Sequence, residues 1–308
     1  MRILVIGAGA LGGYFGARLS VAGRDVTFLV RERRERQIAE TGGLAVESPA
    51  GDFTLPDPKL VRADGLRGAY DVVLLACKAF DLENCMRGFA PAVGPDTMII
   101  PVLNGLRHTE ILAERFGAHA VLGGRAMIFA TLDDRGRILH QAPLAILDYG
   151  ELSGGLSPRI REVDAAMSDA GFTARLREDI TQDLWEKWAL IATVAGSTGL
   201  MRAPLGAINK AGGLPFMRGL LAEIVRVTEQ NGRRPSPEFL ANIEKTISDA
   251  DSPQMASLAK DMDKGYRIEA AHIFGDLLAR AKGGVEDLPL LSTVYAALKA
   301  YEFRNGLA

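Results

Sequence analysis

Met1-Arg2-Ile3-Leu4-Val5-Ile6-Gly7-Ala8-Gly9-Ala10-Leu11-Gly12 opens the chain as a short apolar strand running straight into G-x-G-x-x-G. The spacing gives each glycine a separate duty. Gly7 permits the tight turn from strand to helix. Gly9 lets the backbone approach a pyrophosphate with no side chain in the way, and Gly12 lets the helix pack closely on the strand. The N–H groups at the start of that helix, Ala10 and Leu11 among them, would hold phosphates together with the helix dipole. A glycine-rich turn can also bind nothing. Here a strand precedes it, Tyr14-Phe15-Gly16-Ala17-Arg18-Leu19 follows as helix, and a second strand, Asp25-Val26-Thr27-Phe28-Leu29-Val30, comes next. That context predicts a Rossmann-type, doubly wound α/β sheet binding a dinucleotide through Gly7, Gly9, Ala10, Leu11 and Gly12.

The end of the second strand bears on which dinucleotide. An acidic residue there accepts hydrogen bonds from a ribose 2′-hydroxyl, and it would repel a 2′-phosphate. This strand ends at Arg31, whose guanidinium offers a fork of donors to a phosphate. NADPH is therefore expected rather than NADH. Glu32 is adjacent, but Arg33, Arg34 and Arg36 keep the patch basic. For most of those three the reading is the solvated face of the next helix, and Arg31 alone is taken as the contact.

At 308 residues the chain is long enough for two domains, each with its own core. Hydrophobic residues make up 48% and charged residues 24%, as in ordinary globular proteins. A net charge of −2 argues against nucleic acid as a partner. No apolar run reaches membrane-spanning length. The first apolar residues are the first strand, which argues against a signal peptide and for a cytoplasmic protein. Two cysteines, Cys77 and Cys85, make no disulfide framework, and Cys77 reads as a small core residue. His108, His119, His140 and His272 show no metal-ligand spacing.

Farther along, Asp71–Cys77 and Met98–Leu103 are continuous apolar runs, as expected of parallel strands covered on both faces. Between Ala120 and Glu151 four short strands are predicted (121–124, 126–132, 136–141 and 145–149). They turn at Asp133-Asp134-Arg135-Gly136 and extend the sheet with antiparallel character. A helix over 158–170 and a strand over 173–176 follow. From Ile180 onward the periodicity is helical, with helices expected over 183–198, 213–231, 237–248, 258–266, 269–281 and 289–301. The chain thus divides into a dinucleotide-binding domain, 1–178, and an all-α domain, 179–308. A hinge is expected near 178–181 and a substrate site in the cleft between the halves.

Four residues are candidates for chemistry. Lys78 follows a buried strand at its carboxyl end, where such sheets bind ligands, although a solvated loop lysine would look the same. Asn104-Gly105 follows the strand ending at Leu103; the same dipeptide makes simple turns. Lys187 lies in Leu184-Trp185-Glu186-Lys187-Trp188-Ala189-Leu190. Partial desolvation between two tryptophans would lower its pKa and suit it to donate a proton, but a lysine can also snorkel from such a helix. Glu269 lies in Ile268-Glu269-Ala270-Ala271-His272, and its position alone would not select it.

These pieces, in this order, resemble the ketopantoate reductase (2-dehydropantoate 2-reductase) family over nearly the whole length. The resemblance rests on Gly7-x-Gly9-x-x-Gly12, Arg31, Cys77-Lys78-Ala79, Val102-Leu103-Asn104-Gly105-Leu106, Gly123-Gly124, Gly150-Glu151, Leu184-Trp185-x-Lys187, Ala203-Pro204-Leu205-Gly206 and Asp261-x-x-x-Gly265-x-x-x-Glu269. It implies a helical domain like that of 6-phosphogluconate dehydrogenase. It also implies NADPH-dependent reduction of a 2-oxo acid to a 2-hydroxy acid and a place in pantothenate biosynthesis. By position it makes Arg31 the 2′-phosphate contact, and Lys78 and Asn104 cofactor and active-site residues. Lys187 becomes the general acid, Glu269 the carboxylate that orients the substrate hydroxyl and pairs with the lysine, and Ser257 a substrate contact. The chain departs from the family at Ile191, Ala195 and Phe274, where asparagines are usual, and at Ala270, where an acidic residue is common. Thr193 and Ser197 are candidate replacement donors, on another helix face. The proton-transfer pair is kept while polar substrate contacts are lost, which points to a bulkier, more apolar carbonyl compound. The alternatives are a related reductase of another carbonyl or an imine, and a non-catalytic NADPH sensor. The expected partners are a small-molecule carbonyl substrate and, through the helical half, a second copy of the chain as a homodimer.

Overall fold

The computed structural model describes residues 1–307. They form two compact units: Met1–Leu103 with His108–Thr181, and the tetrapeptide Asn104–Arg107 with the chain from Gln182 onward.

The first unit contains β1 (Arg2–Ile6), α1 (Ala10–Val21), β2 (Asp25–Leu29), α2 (Glu32–Glu40), β3 (Leu44–Glu47), β4 (Phe53–Leu55), β5 (Lys59–Val61), β6 (Val72–Leu75), α3 (Leu82–Phe89), β7 (Met98–Pro101) and α4 (Arg107–Phe116), which starts on the last tetrapeptide residue. It continues with β8 (Leu122–Leu132), β9 (Ile138–Glu151), α5 (Pro158–Met167) and β10 (Thr173–Leu176). Its first sheet is wholly parallel, in the order β5-β2-β1-β6-β7. Ile3 stands beside Val26 on one side and Val72 on the other. Every residue of β6 and β7 is buried, because covered parallel strands have no wet face to alternate with. This is the doubly wound architecture read from the N-terminal strand and glycine turn.

The 120–151 region differs from expectation. The four short strands are two long ones, β8 and β9, paired antiparallel with a register break between Ile128 and Ala130. They do not extend the parallel sheet. They build a second, mixed sheet in the order β10-β9-β3-β4, with β8 on β9. One parallel bridge, Ile99 to Val121, links β7 to the segment entering β8. The fully buried Asp148 on β9 accepts 2.6 Å bonds from Arg125 of β8 and Arg175 of β10, tying three strands with one carboxylate.

The second unit is helical: α6 (Ile180–Met201), α7 (Leu205–Lys210), α8 (Leu214–Gln230), α9 (Pro237–Ser248), α10 (Ser257–Asp263), α11 (Asp276–Arg280) and α12 (Pro289–Arg304). The helix expected over 269–281 contains a π-helical turn, Ala271–Gly275, before α11. The first residues of α6 belong to the first unit. Both cysteines are free thiols. Among the described residues no helix is long and apolar enough to cross a membrane, and no group of side chains is arranged to hold a metal ion.

Candidate active site

The glycine turn has the geometry its spacing requires. Gly7 sits at φ +91°, where a side chain would be strained. A Cβ on Gly12 would stand 2.2 Å from the Gly7 carbonyl oxygen, so only glycine lets α1 approach β1 this closely. Nothing lies within 4 Å of where a Cβ of Gly9 would be, which leaves the backbone open on that side. Gly9 caps α1 with no side-chain bond, and the first turn holds no acidic residue. Ala10 and Leu11 are the first residues of the helix, so their N–H groups are among those without an intrahelical acceptor. Uncompensated donors at a positive helix end fit a pyrophosphate.

Arg31 is the residue before α2, with its side chain 63% exposed. It pairs with Asp81 across 3.1 Å. That bond holds the guanidinium more firmly charged than usual. Exposed pairs of this kind contribute about 0–1 kcal/mol, so the fork remains exchangeable for a phosphate. Lys78 is exposed in the segment after β6 and precedes the 3₁₀ turn Ala79–Asp81.

Arg34 is the exception in the basic run, whose Arg33 and Arg36 are exposed. It is a half-buried staple rather than part of a solvated face. Its Nε donates to the Ala8 carbonyl and its Nη1 to the Gly136 carbonyl, each at 2.6 Å. Burial pulls its pKa down to about 10. No sequence signal separated it from Arg33 and Arg36, because its partners are backbone carbonyls 26 and 102 residues away.

In the helical unit, Lys187 is half-buried on α6, beside Trp185 and Trp188, whose rings lie 5.2 Å apart. The Trp188 indole donates to the Ile273 carbonyl at 3.0 Å. Ile273 in turn donates its N–H to the Glu269 carbonyl at 2.9 Å. Two bonds therefore join the residue after Lys187 to the backbone of Glu269. Glu269 is buried, 8% exposed. Ile191 is half-buried one turn beyond Lys187, and Ala195, one turn farther, is buried. Phe274 is fully buried, its Cε1 3.2 Å from where a Cβ of Gly196 would stand. Thr193 and Ser197 do not offer donors to a ligand. Both are fully buried and donate to carbonyls of their own helix, at Ala189 and Thr193. Ser257 is exposed at the start of α10.

Asn104 groups with the helical unit rather than with the parallel sheet it follows in sequence. The reason is His272, a residue sequence reasoning passed over. Its ring bonds to the Asn104 backbone, and Gly105, at φ +75°, lies flat against it. A Cβ on Gly105 would fall 3.2 Å from the ring's Cδ2 and 3.0 Å from the His272 carbonyl oxygen. Burial holds His272 below its ordinary pKa, against the opposing pull of Glu269 and Asp276. The available signal was its place three residues after Glu269 in the sequence.

Comparison with known proteins places these features in one family. The family model described as ketopantoate reductase PanE/ApbA matches residues 3–154, and its C-terminal counterpart matches residues 179–302. A Bacillus subtilis (strain 168) protein named Uncharacterized oxidoreductase YkpB is 37% identical, over 98% of this chain and 99% of its own. A 2-dehydropantoate 2-reductase of Nostoc sp. is 27% identical over 99% of this chain and 96% of its own. A crystal structure of 2-dehydropantoate 2-reductase from Geobacter metallireducens GS-15 matches with a TM-score of 0.86 at 28% identity, covering 97% of this chain and 99% of that one. The chain belongs to the ketopantoate reductase family of oxidoreductases, as a divergent member.

Proposed function

We propose that the protein reduces a 2-oxo acid to a 2-hydroxy acid with NADPH, in a reaction of the 2-dehydropantoate 2-reductase type. The bonded path Trp188–Ile273–Glu269 carries the reading, because it fixes the Lys187 turn of α6 beside the backbone of Glu269. The open backbone at Gly9 and the exchangeable Arg31 fork support the choice of cofactor. NADPH, when bound, supplies the hydride. Lys187 places a positive charge at the carbonyl oxygen and gives it a proton as the alkoxide develops. Glu269 accepts hydrogen bonds from the lysine and from the new hydroxyl and holds both in line. Asn104, its backbone fixed by His272, is left with its amide for the substrate or the cofactor. Lys78 and Ser257 serve as additional polar contacts.

The wall beyond Lys187 favours one class of 2-oxo acid. Ile191 and Ala195 offer no hydrogen bond, and Thr193 and Ser197 are committed to their own helix. A substrate with a hydroxyl in its side chain would lose partners there, so apolar side chains are preferred. Following NADPH oxidation with a panel of 2-oxo acids tests this. Turnover is expected with straight or branched apolar side chains and weaker with 2-dehydropantoate. Absence of turnover with every 2-oxo acid in the panel would refute the reading.

A further inference from the structure

We propose that Arg34 is the positioning residue of the glycine-rich loop, setting the direction of the Gly9 N–H by holding the Ala8 carbonyl. The proposal rests on the reading above that this loop binds a dinucleotide. A peptide unit is planar and trans, so the C=O of Ala8 and the N–H of Gly9 point in opposite directions from one rigid plate. Fixing one end aims the other. Arg34 Nε grips the Ala8 oxygen at 2.6 Å, which turns the Gly9 N–H away from α2. A guanidinium on the carbonyl also polarises the plate and makes that N–H a stronger donor.

The other end of the arginine is anchored. Nη1 donates at 2.6 Å to the Gly136 carbonyl, in the turn between β8 and β9. That turn is itself clasped. Asp133 accepts the backbone N–H groups of Arg135 and Arg137 at 3.0 and 2.7 Å, and the Arg137 Nε at 2.7 Å. Arg137 also pairs with Glu47 of β3. Gly136 has φ +83°, and a Cβ there would stand 2.5 Å from Arg34 Nη1, so the turn is shaped around the arginine. The mixed sheet thus braces the loop that follows the first strand of the parallel sheet. The arrangement is not optimised for stability alone. Arg34 is half-buried, and its Nη2 is buried with no hydrogen-bond partner among the described residues. Such a group is costly to keep.

Arg31 and Arg34 therefore have separable effects. Arg31 would meet only the 2′-phosphate, which NADH lacks. Arg34 acts through the loop and so on both dinucleotides alike. Fluorescence titration of NADPH and NADH into the full-length protein, Arg31→Ala and Arg34→Met tests this, with circular dichroism and thermal melting of each variant. Arg34→Met is expected to weaken both dinucleotides by the same factor, about tenfold, and Arg31→Ala to weaken NADPH alone. If Arg34→Met melts below the assay temperature, Arg34→Lys, which keeps one donor, is expected to show a smaller loss that is again equal for the two. Wild-type affinity in a folded Arg34 variant, or loss confined to NADPH, would overturn the proposal while leaving dinucleotide binding intact. Wild-type protein that binds neither dinucleotide would overturn the underlying reading, and the proposal with it.

Discussion

His272 shows how much a single side chain can organise. It lies between Glu269 and Asp276 in the sequence and meets the charges of both, the backbone of Asn104 and the Arg107 charge from the tetrapeptide. Burial outweighs both carboxylates and keeps the ring neutral below its usual pKa of about 6.5. Between that lowered value and about 6.5, the unfolded chain binds the proton and the folded chain does not. Stability therefore falls as pH drops through this window and is recovered above it. His272→Gln keeps a donor for Asn104 but cannot titrate. Urea unfolding from pH 5 to pH 7.5 should show a shallower slope in the variant than in the wild type. Equal slopes would mean that His272 titrates alike in both states.

At the scale of elements, the sequence was legible where a pattern is local. The parallel strands announce themselves as continuous apolar runs, and Thr173–Leu176 and Pro237–Ser248 fall where their residues put them. The β8–β9 pair reads as four short strands because Arg125 after Gly123-Gly124, and Pro143 within β9, look like breaks in a strand. Arg125 is in fact paired with the buried Asp148 inside the sheet. The π turn was illegible for a related reason. It depends on a tryptophan 85 residues away that takes up the Ile273 carbonyl. Trp188→Phe removes the indole donor together with one of the two fused rings, at a position that is almost fully buried. It is expected to destabilise the protein by at least about 1–3 kcal/mol, from the carbonyl left unpaired and from the packing lost around it. Chemical denaturation measures it, and an unchanged midpoint would show that the bond contributes nothing to holding the turn.

At the scale of the whole molecule, the residues proposed for binding and chemistry fall in both units: the glycine loop, Arg31 and Lys78 in the first, and Asn104, Lys187, Ser257 and Glu269 in the second. Lys187 and Glu269 were legible only as members of a family pattern, since a lysine and a glutamate 82 residues apart share no periodicity. NADPH at a hundred times its Kd should add about 2.7 kcal/mol to the stability of the unit that holds it. Amide hydrogen exchange should then slow at Gly9 to Gly12 and along β1 and β2. Slowing confined to α8 through α12 would put the dinucleotide elsewhere.

Lys187 is proposed as the proton donor of a reductase whose cofactor is held by other residues. The most direct measurement pairs turnover with cofactor affinity in Lys187→Ala, using the best 2-oxo acid found for the wild type. Turnover is expected to fall by about 10²- to 10⁴-fold while the Kd for NADPH stays within about twofold. Wild-type turnover in the folded variant, or a loss explained wholly by weaker NADPH binding, would contradict it.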